Sequence, residues 1–163
     1  MKKETSMTVI TKRRTEKAAN KPIVRCTCES LPVKALFDSG AECNVISKDL
    51  FDQISKRKKI YLSKTNGNIK CANGEIIHCL GVAWLTLTVG QQTTKHPFKV
   101  VDSIFPEVIA GIKLMKQAKI KVVPEKDCIM VKDTPVKFLS SVRREEDEAG
   151  NERAPTMGAV VRC

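Results

Sequence analysis

Aromatic residues are scarce in this sequence: one Trp, one Tyr and five Phe in 163 residues, alongside only two histidines. A hydrophobic core must therefore be built from Val, Ile and Leu. Long apolar runs are also missing, since none approaches the roughly 18 residues needed to span a bilayer. The opening stretch MKKETSMTVITKRRTEK holds no apolar segment of the signal-peptide kind, so the chain is expected in the cytoplasm. The seven cysteines at 26, 28, 43, 71, 79, 128 and 163 contain no C-x-x-C pair, which argues against a zinc ribbon and a disulfide framework and for free thiols in a reducing compartment. Cys71, His78 and Cys79 are a local group of metal-ligating types, but no second pair matches them and no metal site is assigned. Cys26 and Cys28 share one face of a strand and read as core or edge residues.

What is present is β-strand pattern and positive charge. The length suits one domain with tails. Of the net charge of +11, residues 1–21 contribute +5, residues 22–135 contribute +6 and residues 136–163 sum to zero. The first segment reads as a flexible basic leader, able to make weak non-specific contact with nucleic acid. No aromatic residues are interleaved with its basic ones, so a solvated surface explains the charge equally well.

Ordered pattern begins near Ile23. Residues 23–28 and 33–37 read as strands joined by a turn at Glu29-Ser30-Leu31-Pro32, and the second runs directly into Asp38-Ser39-Gly40-Ala41. A short helix over 47–54 is expected, with Ser47 as its cap and Leu50, Phe51 and Ile54 on one face; Lys56-Arg57-Lys58-Lys59 is its solvated end. Asn73-Gly74, between two strand-like pieces, signals a hairpin. Strands follow at 82–89, 98–101 and 107–111, then a helix over 112–118 and a strand at 120–123. The domain is drawn at 22–135, with 136–163 as a patternless tail whose one candidate strand is 136–139.

Apolar strand, glycine turn, short helix occurs twice, in residues 33–54 and 107–120, and only the first copy carries an acid. Asp38 stands at the end of an apolar strand, where a carboxylate is costly without a partner or a purpose.

In this order, Leu36-Phe37-Asp38-Ser39-Gly40-Ala41, Cys71-Ala72-Asn73-Gly74-Glu75 with Gly81 beyond, and Val108-Ile109-Ala110-Gly111 leading into Leu114-Met115 resemble the retropepsins. These are the aspartic proteases of retroviruses and long-terminal-repeat retrotransposons, and the gypsy-like group is the nearest in character. The resemblance covers residues 22–135. It implies an all-β, closed acid-protease barrel with one or two short helices, homodimeric, with the active site on the two-fold axis. It makes Asp38 the catalytic carboxylate and Ser39, Gly40 and Ala41 its loop. Ala72, Asn73 and Gly74 become the tip of a flap over the substrate, and Ile109, Ala110 and Gly111 the second loop of the site. Neither metal nor organic cofactor is implied.

The implied chemistry needs two carboxylates sharing one proton. Asp102-Ser103-Ile104 and Asp133-Thr134-Pro135 lack the glycine, which leaves Asp38 of a second copy as the other acid. The expected substrate is an extended polypeptide, namely the polyprotein of the parent element, cleaved in the cytoplasm or inside retroelement particles. Ile112 stands where many retroviral members carry Arg, so an ion pair from that position is not carried over. Two rival readings remain: a domesticated cellular protease of the same type, and a catalytically silent β-domain for dimerisation or nucleic-acid binding.

Overall fold

In a computed structural model the described residues are 20–65 and 67–139, with Val161–Arg162 described as backbone. Strands β1 (Ile23–Cys28), β2 (Leu31–Phe37), β3 (Asn44–Ser47), β6 (Gly81–Val89), β7 (Gln92–Val101) and β8 (Val108–Ala110) close into a barrel in the order β1-β2-β8-β3-β7-β6. Helix α1 (Lys48–Arg57) follows β3, and α2 (Ile112–Ala118) follows β8. A hairpin of β4 (Ile69–Cys71) and β5 (Ile76–Ile77) lies between α1 and β6, and β9 (Ile120–Val123), β10 (Cys128–Val131) and β11 (Thr134–Lys137) form a separate antiparallel sheet.

Two clusters of apolar side chains explain the run of hydrophobic residues that leads to Asp38. Ala35 and Phe37 of β2, Ile46 of β3 and Val108 and Ala110 of β8 face the main core, whereas Leu36, Val45 and Ile109 of the same strands face a second cluster. Burial on both faces removes the apolar-polar alternation of a half-exposed strand. The main core also takes up Leu50, Phe51 and Ile54 of α1. Ser47 caps that helix by accepting from the Leu50 amide at 3.3 Å, and the helix runs three residues beyond the expected end at Ile54.

Local geometry differs from expectation at four places. The turn between β1 and β2 is confined to Glu29 and Ser30, both with positive φ (51° and 71°), while Leu31 and Pro32 already pair with Cys28 and Thr27. A two-residue hairpin of that hand matches the twist of its strands, and here it is made without the usual glycine. Glu29 is anchored: it accepts from Lys58 at 2.8 Å and from the Thr86 amide at 2.7 Å. Burial works against its ionisation, but these two donors outweigh burial and hold its carboxyl below the usual range. Strand β7 starts at Gln92 rather than 98, because its polar first half pairs along β6 through the backbone and through the hydroxyls of Thr88 and Thr93, 3.1 Å apart. The last strand of the small sheet is Thr134–Lys137, and Phe138 beyond it is buried in the main core. Finally, Val161–Arg162, in the tail expected to lack pattern, forms β12 along the free edge of β4. Backbone pairing of this kind leaves no mark on sequence pattern.

Cys26 and Cys28 are buried, and burial first, with neighbouring carboxylates second, pushes both thiols up to about 12. They are core residues and remain protonated.

His96 points inward from β7 with Nε2 buried and unpartnered among the described residues, and burial lowers its pKa from 6.5. Its unfolded form therefore binds protons before its folded form does, so stability is lost as pH falls through 6.5 towards the lowered value. His96→Leu should flatten this acid limb, as measured by urea denaturation between pH 7 and 5.

Candidate active site

The site is assembled by a parallel pairing that is distant in sequence. Ala35, Leu36 and Phe37 of β2 run beside Val108, Ile109 and Ala110 of β8, so the loops that leave the two strands emerge side by side. The Asp38 amide donates to Ala110 O at 3.0 Å, and the Ile112 amide donates to Ala41 O at 2.9 Å. Each loop is thus hydrogen-bonded to the other at both ends. Asp38-Ser39-Gly40-Ala41 and Ile109-Ala110-Gly111, which the sequence reading placed in one site, are brought together.

Gly111 is required at this contact by lack of space. A Cβ there would lie 2.7 Å from Ala41 O and 2.9 Å from Cys43 O, both rigid backbone atoms. Its amide donates to Asn44 Oδ1 at 2.8 Å, and Asn44 Nδ2 donates to Pro97 O at 3.1 Å. Asn44 is buried and clamps the second loop to β7, a role the sequence reading missed. Its one sequence signal is an amide residue at the start of an apolar strand.

Within its own loop, Asp38 accepts from the Gly40 amide through Oδ1 at 2.9 Å, and its carbonyl accepts from the Ala41 amide at 3.0 Å. Oδ2 is buried with no hydrogen-bond partner among the described residues. Burial raises the Asp38 pKa above 3.8, and the Gly40 amide opposes this without cancelling it. The carboxyl is held ready to carry a proton. Ala41 is fully buried, whereas Ser39 is exposed at the rim.

The hairpin is seated on the same region. Ile69 is fully buried in the second cluster with Leu36, Ala41 and Ile109, and Cys71 and Ile77 pack against that cluster. The root of the hairpin therefore rests on the apolar floor beneath the two loops. At its tip the Cys71 amide donates to Glu75 O and the Gly74 amide to Cys71 O, leaving Ala72, Asn73 and Gly74 as a three-residue loop. Asn73 Oδ1 accepts from the Glu75 amide at 2.9 Å, and Gly74 has φ of 92°. Asn73 itself has no positive φ, so this is not the two-residue Asn-Gly turn; the left-handed residue is Gly74, closing a bulged loop. All three tip residues are exposed.

A closed six-stranded barrel with two short helices and two interlocked strand-loop units is the retropepsin-like fold. The retroviral protease-like domain of Ddi1 from Leishmania major matches with a TM-score of 0.56 at 19% identity, over 73% of this chain and 93% of that one. EIAV protease, solved in complex with the inhibitor HBY-793, matches with a TM-score of 0.51 at 20% identity, over 66% of this chain and 94% of that one. No family model matches the sequence.

Proposed function

We propose that the protein is an aspartic endopeptidase of retroelement type, active as a homodimer in which Asp38 of each copy supplies one of the two carboxylates. The observation that carries this reading is Asp38 itself: a half-buried carboxyl at the end of a two-sided apolar strand, with one oxygen held by Gly40 and the other, Oδ2, buried and unpaired among the described residues. In the proposed mechanism the unpaired oxygens of two copies face a shared water. One carboxylate takes a proton from that water while the protonated acid polarises the scissile carbonyl. Two like charges at close range cannot both ionise readily, so pairing adds to the rise already caused by burial, and activity favours mildly acidic pH.

In this reading the exposed Ser39 and the half-buried Gly40 supply the contact between copies, while Ala72, Asn73 and Gly74 close over an extended polypeptide. The substrate is the polyprotein of the parent element, handled in the cytoplasm or in particles. In this reading the parent element is of the gypsy-like retrotransposon group, on the strength of the sequence motifs alone. The likeness in fold to EIAV protease, which was solved in complex with an inhibitor, supports the peptidase reading. The test is incubation of purified protein with a mixture of unstructured peptides from pH 4 to 7, with mass spectrometry of the products. Defined internal cleavages that peak at acid pH are expected, and an uncut mixture at every pH overturns the proposal.

A further inference from the structure

The only Trp and the only Tyr of the chain are both at the surface: Trp84 is 56% exposed and Tyr61 is 82% exposed. In a chain with so few aromatics, the placement of both on one face requires a reason beyond the normal scatter of apolar residues at a surface.

Register shows that they share a face. Ser63 and Val82 form an antiparallel bridge, bonded in both directions at 2.9 Å and 2.8 Å. The bridge is a single pair; Tyr61, two residues before Ser63, and Trp84, two after Val82, lie on the same side of it as Ser63 and Val82. Burial alternates along this segment: Ile60 and Leu62 pack against the barrel core, so Lys59 and Tyr61 face outward. On the other side of β6, Trp84 pairs with Pro97, Thr86 with Lys95 and Val82 with Lys99. The outer face is therefore three rows deep. Trp84 and Pro97 form the middle row, with Tyr61 on the segment that borders it; Thr86 and Lys95 form the row on one side, where Glu29 borders Thr86, and Ser63, Val82 and Lys99 the row on the other.

Both flanking rows are cationic. Glu29, the acid that borders Thr86, is tied up: its side chain is 3% exposed and is held by Lys58 and the Thr86 amide. Lys58 neutralises it, and Lys59, Lys95 and Lys99 form no salt bridge among the described residues. An apolar peptide or a second copy of this basic chain would leave those ammonium groups without counter-charge. A single-stranded nucleic acid fits both features, because its bases have flat faces for Tyr61 and Trp84 and its phosphates meet the lysines on either side.

From this arrangement we infer that the outer face of β6 and β7 binds single-stranded nucleic acid, with bases stacked on Tyr61 and Trp84 and the backbone held by Lys59, Lys95 and Lys99. The inference is independent of the peptidase proposal and uses none of the residues of the Asp38 loop.

The full chain is titrated with an unstructured uridine oligonucleotide at low salt, and Trp84, as the sole Trp, reports through its own fluorescence. Saturable quenching is expected. In anisotropy measurements with labelled oligonucleotide, Tyr61→Ala and Trp84→Ala should each weaken binding by about fivefold or more. Lys95→Ala should reduce the dependence of affinity on salt. Both aromatics are exposed, so the variants are expected to fold, which circular dichroism checks. The inference is overturned by absence of binding, by binding that leaves Trp84 fluorescence and the Tyr61→Ala affinity unchanged, or by equal quenching with duplex RNA. It is also overturned if Trp84→Ala abolishes self-association in a protein that binds no RNA, since the occupant would then be a second copy.

Discussion

Asp38→Asn should leave a folded protein whose peptide cleavage falls by at least about a thousandfold. In the proposed homodimer a single codon change removes both carboxylates, so neither a base for the water nor an acid for the carbonyl remains. Asn preserves the shape of the side chain, and its oxygen can still accept from the Gly40 amide, which Asp38 Oδ1 does at 2.9 Å. The substitution also affects stability in a defined direction. Burial raises the folded-state pKa of Asp38 above 3.8, so its protonated form favours folding. That contribution is complete below the unfolded value and is lost as pH rises through the folded value. Asp38→Asn should therefore be more stable than the parent at pH 7, with the gain disappearing towards pH 3. An inactive variant with a higher melting temperature at neutral pH separates loss of chemistry from loss of fold.

Gly111→Ala should fail in the opposite way. The added methyl would have to sit 2.7 Å from Ala41 O and 2.9 Å from Cys43 O, distances that backbone atoms cannot accommodate without moving. Relief requires the two loops to part, which strains the Ile112 amide bond to Ala41 O and the Gly111 amide bond to Asn44 Oδ1. Overpacking of this kind costs about 1–3 kcal/mol. A melting temperature lower by roughly 5–10 °C is expected, together with lost cleavage, as read by thermal denaturation and the peptide assay. A variant that keeps parental stability and activity would show that the two loops are not held together as described.

How far the sequence reveals this molecule depends on whether a feature is local or distant. Asp38-Ser39-Gly40-Ala41 and Val108 to Gly111 were legible because each is a short apolar strand ending in small residues, and the capping Ser47 and the helix over 112–118 follow local rules. The parallel pairing of β2 with β8, which turns two motifs into one site, joins residues about seventy positions apart and leaves no periodic trace. Asn44 was missed for the same reason: its two partners, Gly111 and Pro97, are remote in sequence. At the hairpin tip, Asn73-Gly74 correctly marked a turn, but the bond from the Cys71 amide to Glu75 O makes the loop one residue longer than that dipeptide suggests. The basic run at 56–59 looked like a simple solvated end. Only the bridge from Ser63 to Val82 and the contact of Lys58 with Glu29 bring its neighbourhood beside Trp84. Residues 1–19 of the expected basic leader lie outside the described residues.

In the proposed homodimer each chain holds half of a catalytic centre. The most direct test of this arrangement is specific peptidase activity measured across a dilution series, with sedimentation reporting the state of association at each concentration. Turnover per chain should fall in step with the dimer and vanish when only monomer sediments. Constant turnover per chain throughout the monomeric range would contradict it.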